Sequence, residues 1–363
     1  MTKQEYTVFE DISVSPEEIL ACSYSKWYPH LKDHTVDSEV IRPLPKEFLE
    51  YLASDSIKLP AVNNYESNIE LNSDNEYSDW EQDENDSEQE EEHDPESETK
   101  KNITVNDFKP LHDTIISKIT KLGGAVTPKL NWSAPKDAKW MMPDNTIRCN
   151  HVNDVYLLLN SSDHIVDDLD FPFAATEEKP KQDVEYELVL RKWLDVNPAL
   201  EFRVFVKDHK IIGISQRDLN HYIFLESLQD KLNKRISEFM YETVIPNLDT
   251  ELGLDKYIVD VYIPRPFTKT YIVDVNPFTR KSDPLLFTWH ELLTIDTMGD
   301  DEDNYEFRLI NETNVGRFAK KEYSESQVPF DVVDASINTD AMVELAREWN
   351  TLQLQQDSRQ TSE

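Results

Sequence analysis

The chain has 363 residues, enough for one large domain or two modest ones, and 38% of them are hydrophobic, which supplies a real core. Its formal net charge of -35 argues against nucleic acid or an anionic membrane surface as the main partner and favours basic partners. No apolar run reaches membrane-spanning length, and Cys22 and Cys149 form neither a metal-ligand nor a disulfide pattern, so a reduced, cytoplasmic, monomeric protein is expected.

The polar opening MTKQEYTVFEDISVS lacks signal-peptide character. SVSPEEILACSYSKWYPHL then opens a helix, with Ser15 as N-cap, Pro16 in the first turn and Glu18 completing a capping box. PKEFLEYLASDSIKLP reads as a short helix running into a loop. The stretch Ser73 to Glu98 carries fourteen acidic residues and no Lys or Arg. It repels itself and buries too little apolar surface to fold, so a disordered insertion is expected at about 65–100. Ser73, Ser78 and Ser87 each precede an acid three residues on, a spacing acid-directed kinases favour.

NDFKPLHDTIISKITKLGG sets Phe108, Leu111, Ile115, Ile119 and Leu122 at helical spacing, with Asn106 as cap and Gly123 as stop. AVTPKLNW reads as a strand that Pro128 confines to an edge or end. HVNDVYLLLNSS is another short helix. From Tyr186 the texture changes: YELVLRKW, EFRVFVKD and KIIGISQRD are three β-rich runs in quick succession. LESLQDKLNKRISEFMYETVIPNL follows as one long amphipathic helix, and TDAMVELAREWNTLQ as a final one with Trp349 on its apolar face. Sheets with packing helices, twice over, make an α+β protein with a break near 180. The expected lobes are 1–180 and 181–363, the second ending in the helix around Trp349 and a flexible tail.

The hairpin YIVDVYIPRPFTKTYIVDVNPF, Tyr257 to Phe278, carries the chemistry. Alternation puts Tyr257, Val259, Val261, Tyr271, Val273 and Val275 on a core face. Ile258, Asp260, Tyr262, Ile272, Asp274 and Asn276 share the other. In the symmetric register Asp260 faces Asp274, which destabilises a hairpin unless a cation intervenes. Two carboxylates and an amide oxygen are hard donors that suit Mg2+, which keeps waters and binds substrate phosphate besides. Basic residues converge on the preceding strands: Arg191 and Lys192, Arg203 beside Glu201, and Arg217, with Lys129 and Lys136 upstream. Taken singly, each is ordinarily a surface charge. Together they suit the phosphates of a nucleotide. The loop NWSAPKDAKW holds no Gly, unlike most phosphate-cradling loops.

AVTPKLNWSAPKDAKWM, ELVLRKW, EFRVFVKDHKIIGISQRD and IVDVNPF closely resemble the eukaryotic cell-division-cycle protein 123 family, as do CSYSKWYP, SIKLP and PLLFTW. The resemblance covers most of Cys22 to Leu292. It implies an ATP-grasp-like fold, two α+β lobes with ATP and Mg2+ in the cleft between them. It also implies a role in assembling the heterotrimeric translation initiation factor two, by binding the C-terminal part of its gamma subunit. By similarity Lys129 contacts the nucleotide phosphates, with Trp132 and Ala134 nearby. Arg191, Lys192 and Trp193 form a hinge that meets adenine. Glu201 and Arg203 bind the sugar and phosphate side, Arg217 the phosphates, and Asp260, Asp274 and Asn276 the magnesium.

Three functions compete at this stage. A nucleotide-dependent assembly chaperone, which turns over little ATP, fits the residues best. An ATP-grasp ligase or kinase would use the same residues plus a positioned acceptor, for which no motif is visible. An acidic interaction protein with a vestigial site is the third. Trp27, Tyr28 and Trp289 are candidate partner anchors, though such aromatics are more often core.

Overall fold

The computed structural model describes residues 12–53, 105–295, 297 and 304–311. The acidic stretch, the SIKLP segment and the helix expected around Trp349 lie outside them.

Two short helices open the fold: α1 (Pro16–Ala21) and α2 (Tyr24–Leu31). The expected capping box is present, Ser15 Oγ accepting the Glu18 N–H and Glu18 reaching back to the Ser15 N–H. The single helix expected over this stretch is broken at Cys22 and Ser23. Ser23 adopts φ -59°, ψ 142°, which stops propagation, while the Tyr24 N–H leaves for the Asn131 carbonyl. A strand the periodicity does not reveal, β1 (Ser38–Ile41), follows, and then α3 (Lys46–Leu52).

The next helix, α4 (Lys109–Lys121), starts later than Asn106. A 3-10 turn over Val105–Phe108 precedes it, and Pro110 supplies the fixed φ of a first turn. Gly123 and Gly124 stop it as expected, at φ 94° and 87°. Strand β2 (Val126–Lys129) leads to the loop at 130–138, then to α5 (Val152–Asn160) and α6 (Asp163–Asp170).

β3 (Leu188–Lys192) pairs antiparallel with both β1 and β2, closing a three-stranded sheet of order β1-β3-β2. β2 is thus an edge, as Pro128 requires. β3 belongs to this first sheet, so the chain crosses to the second sheet after Lys192, later than the break near 180.

The second sheet holds β4 (Glu201–Lys207), β5 (Lys210–Gln216), β6 (Tyr257–Tyr262), β7 (Tyr271–Pro277) and β8 (Glu306–Arg308), in the order β7-β6-β4-β5-β8. Among the described residues only the β5–β8 pairing is parallel. Between β5 and β6 run α7 (Ile223–Glu226), α8 (Gln229–Phe239) and α9 (Ile245–Leu252). The one long helix expected there is interrupted by a π turn over Met240–Val244. Pro246 lacks the N–H that an α register needs, and the wider turn absorbs the defect. Gly253, at φ 63°, terminates the run. The last helix among the described residues is α10 (Trp289–Thr294), capped by Thr288.

The largest core packs one face of the second sheet (Val204, Val206, Val259, Val261) against α2, α8 and α9. Another joins Leu188 and Leu190 of β3 to α3, α4 and α5, while Val189, pointing the other way, enters the largest core. Trp27, Tyr28 and Trp289 are buried core residues, not exposed anchors. Among the described residues no helix is long and apolar enough to cross a membrane.

Candidate functional site

β6 is a central strand, and all six of its residues are buried. The face that alternation assigns to Asp260 is therefore not open to solvent. Ile258 on that face packs with Phe205, Phe278, Phe287 and Trp289. The register puts Asp260 opposite Asp274, as the symmetric hairpin predicts. Beyond that pair the register shifts: Val261 faces Ile272 and Tyr262 faces Tyr271, leaving Val273 unmatched. This bulge moves Ile272 into the main core, against the expected alternation, and it sits beside the two carboxylates.

Asp260 is 2% exposed, and its charge is met by arginine. Oδ1 accepts the Arg203 Nε–H at 2.8 Å; Oδ2 accepts Arg203 Nη2–H at 2.9 Å and Arg217 Nε–H at 3.1 Å. Arg203 is the residue directly across from Asp260 on β4, so strand register alone delivers the bidentate fork. Burial by itself raises the carboxyl's pKa, but Arg203 and Arg217 outweigh it and hold the group well below the usual carboxylate range. Arg217 also lies 3.9 Å from Glu201. Burial would lower its pKa, yet Asp260 and Glu201 keep it raised above the ordinary arginine value. Arg203 Nη1 donates to the Asp283 carbonyl at 2.7 Å, fixing the third side of the guanidinium.

Asp274 is compensated from the other sheet. Lys129, at the end of β2 and 1% exposed, donates to its Oδ1 at 2.6 Å. The Lys129 ammonium also sits 5.3 Å from the Tyr24 ring centroid, and Arg191 lies 5.7 Å from the same ring. The Arg191 Nε is buried without a hydrogen-bond partner. The ion pair between Lys129 and Asp274 thus joins the two sheets, and the candidate site is the seam between them.

Lys136 completes the cluster. It is half-buried in the loop after β2. Burial lowers its pKa to about 8, Arg217 adds to the effect, and Glu201, Asp260 and Asp274 oppose it. Its electrostatic neighbours are therefore the site itself. The Lys136 ammonium makes no hydrogen bond or ion pair among the described residues, although the Lys136 N–H is bonded within the loop.

The remaining expected residues are placed less uniformly. Ala134 lies in the same loop, its carbonyl accepting the Lys136 N–H at 2.7 Å. Trp132 is 6% exposed in the main core and donates its indole N–H to the Ile19 carbonyl at 2.8 Å, so its side chain anchors α1. The hinge amides of Lys192 and Trp193 donate to the carbonyls of Asp37 and Ala125. Those two backbone donors are thus spent within the first lobe and are not open to a ligand. Asn276 lies one alternation beyond Asp274 on β7, half-buried, and carries an amide oxygen toward no described hydrogen-bond partner.

The donor chemistry fits a hard divalent cation. Asp274 uses Oδ1 alone in its hydrogen bonds to Lys129 and to the Val275 N–H. Asp260 accepts three donors, and a carboxylate has about four acceptor sites, so one remains. The Asn276 amide oxygen on β7 is a third donor of the hard class that Mg2+ takes alongside phosphate and water.

Sequence reasoning missed Asp168 on α6. It is 8% exposed and accepts the Ser133 N–H at 2.8 Å and the Ser133 Oγ–H at 2.9 Å. Burial pushes its carboxyl up to about 6, against the pull of Ser133 and Lys129. The available signal was Ser162, an N-cap before Ile165 and Leu169 at helical spacing.

The family described as D123 matches residues 27–336. A Candida albicans protein named "Translation initiation factor eIF2 assembly protein" is 52% identical over 357 residues, covering 97% of this chain and 99% of that protein. A Candida glabrata protein named "Cell division cycle protein 123" is 46% identical over 367 residues, covering 99% of each. Among solved structures, Cdc123 from Schizosaccharomyces pombe superposes with a TM-score of 0.63 at 30% identity, over 83% of this chain and 100% of that one.

Proposed function

The chain belongs to the D123 family, and from that premise we propose that it is an assembly factor for the heterotrimeric translation initiation factor two. Relatives of matching length carry that role in their names. The finer reading is a nucleotide-binding chaperone: an ATP-grasp-like cleft between the two sheets takes ATP with Mg2+, and the loaded protein binds the gamma subunit of the factor.

One observation carries the nucleotide reading. Lys129, Lys136, Arg191 and Arg217 gather at a seam whose carboxylates, Asp260 and Asp274, are spaced by strand register. The cations suit a polyphosphate. Burial at the seam strips water from the cations, Lys129 above all, which strengthens their attraction for phosphate. Asp260, Asp274 and Asn276 would hold the magnesium, which when bound neutralises phosphate charge. Arg203 stays on Asp260 and orients it. Arg217 and Lys129 turn part of their hydrogen bonding from carboxylate to phosphate. Because Lys129 and Asp274 come from different sheets, ligand there fixes one sheet against the other. That yields a rigid partner-binding surface without a chemical step.

The test is calorimetric titration of ATP, with and without Mg2+, into the wild-type chain and Asp274→Ala, followed by capture of purified gamma subunit with and without nucleotide. Saturable, magnesium-dependent binding that Asp274→Ala loses, with nucleotide-dependent capture, is the expected result. A wild-type chain that binds no ATP overturns the cleft reading. Steady release of ADP or AMP that depends on the partner would favour an enzyme instead.

A further inference from the structure

The loop from Asn131 to Ala138 has no glycine. It does not supply a ring of bare backbone amides to phosphate, and at least one amide, that of Ser133, is already committed to Asp168. What the loop delivers to the seam is a side chain, Lys136. Something must hold a glycine-free loop in that position, because the Lys136 ammonium has no described partner of its own to fix it.

Helix α6 does this from outside the cleft. Asp168, in its second turn, takes both the N–H and the hydroxyl of Ser133. The tie is returned from the loop: Asp137 accepts the Ser162 Oγ–H at 2.6 Å and the Asp163 N–H at 2.8 Å, capping the start of α6. The helix is pinned at its other end. Tyr186 donates to the Leu169 carbonyl at 2.8 Å, and Lys281, in the loop after β7, donates to the Phe171 carbonyl at 2.6 Å. Two carboxylates therefore lock loop and helix to each other, and Lys281 ties that unit to the second sheet. Asp168 feels the Lys129 charge, but its carboxylate hydrogen bonds go to Ser133, and its hold on the loop runs through that residue.

We infer that Asp168 is a positioning residue for nucleotide binding: through Ser133 it sets the loop so that the Lys136 ammonium meets the phosphates of the bound nucleotide. The inference rests on the cleft reading above and adds to it the residue that aims Lys136 at the phosphates. Two donors to one buried carboxylate leave the loop backbone little freedom, so binding has only the Lys136 side chain left to order. The phosphate chain is the part of the ligand affected. The base and sugar are not.

The experiment titrates ATP, and adenosine by competition against ATP, into the full chain in Mg2+. The variants are Asp168→Asn, Ser133→Ala, Lys136→Gln and the double Asp168→Asn/Lys136→Gln, each with its thermal unfolding recorded. Asp168→Asn is expected to weaken ATP about tenfold, the worth of one lost hydrogen bond to a charged group, and adenosine less than about twofold. Ser133→Ala moves ATP affinity the same way. Lys136→Gln gives a loss at least as large, and adding Asp168→Asn to it costs nothing further. Equal losses for ATP and adenosine overturn the inference and leave Asp168 a purely structural residue. So do multiplicative losses in the double variant. Should Asp168→Asn fail to fold, Ser133→Ala, which loses one hydroxyl, carries the same comparison. A wild-type chain that binds no ATP removes the cleft reading and this inference with it. A wild-type chain that binds ATP as well as do Asp168→Asn and Ser133→Ala overturns this inference alone.

Discussion

At the scale of single residues, Asp260 concentrates the energetics. A carboxylate this buried survives only because Arg203 and Arg217 give it three N–H donors. Removing Arg203 leaves it undercompensated, so Arg203→Ala is expected to cost about 3–5 kcal/mol in denaturant unfolding. Arg203→Lys should also destabilise, since an ammonium cannot make the planar fork. The pH sign follows from the depressed pKa of Asp260: its stabilisation is present above the ordinary carboxylate range and is lost as pH falls below it. Asp168 works the other way. Its folded pKa is raised from 3.8 to about 6, so the folded state binds the proton more tightly than the unfolded chain does. Its contribution to stability is complete below the unfolded value and lost as pH rises through about 6. A wild-type stability profile that declines between those values, and that Asp168→Asn flattens, is the expected measurement. The spacing of Asp260, Asp274 and Asn276 was legible in the sequence because a strand's period of two is strict. Asp168 was not legible, because its partner Ser133 lies 35 positions away and no local period links them.

At the scale of elements, local chemistry and tertiary demand divide cleanly. The capping boxes of α1 and α10 form as their sequences dictate, and Ser15→Ala should cost about 1 kcal/mol, read by thermal unfolding. The break between α1 and α2 has a tertiary cause, since Tyr24 exchanges a helical partner for Asn131. Gly213 on β5 is a packing glycine: a Cβ there would lie 2.8 Å from the Phe287 ring, itself buried. Gly213→Ala is expected to destabilise by about 1–3 kcal/mol, and pairing it with Phe287→Leu to restore part of the loss. Strand β1 escaped notice because four half-buried residues carry no alternation to read. The bulge at Val273 escaped for a related reason: composition does not say where an extra residue is inserted, only that both flanking runs are apolar.

For the whole molecule, the property to measure is whether one ligand ties the two sheets. Lys129 contributes from the first sheet and Asp274 from the second. If ATP with Mg2+ replaces part of that ion pair, the folded chain gains about 2.7 kcal/mol at a ligand concentration a hundredfold above Kd. The expected outcome is a single unfolding transition that moves up by several degrees with ATP and Mg2+ together, and that does not move in Asp274→Ala. A shift confined to one part of the chain, read by amide exchange, would contradict the picture of two sheets fixed together. Sequence by itself determined the α+β class, the paired aspartates, the edge position of β2 and the family resemblance. Each of these rests on period, composition or contiguous motif, which are properties of neighbours along the chain. Only the tertiary structure decided which sheet β3 joins, that arginine and lysine already compensate the carboxylates, and that α6 holds the loop of Lys136. Those depend on groups far apart in sequence, whose meeting is fixed by burial and strand register and by nothing local.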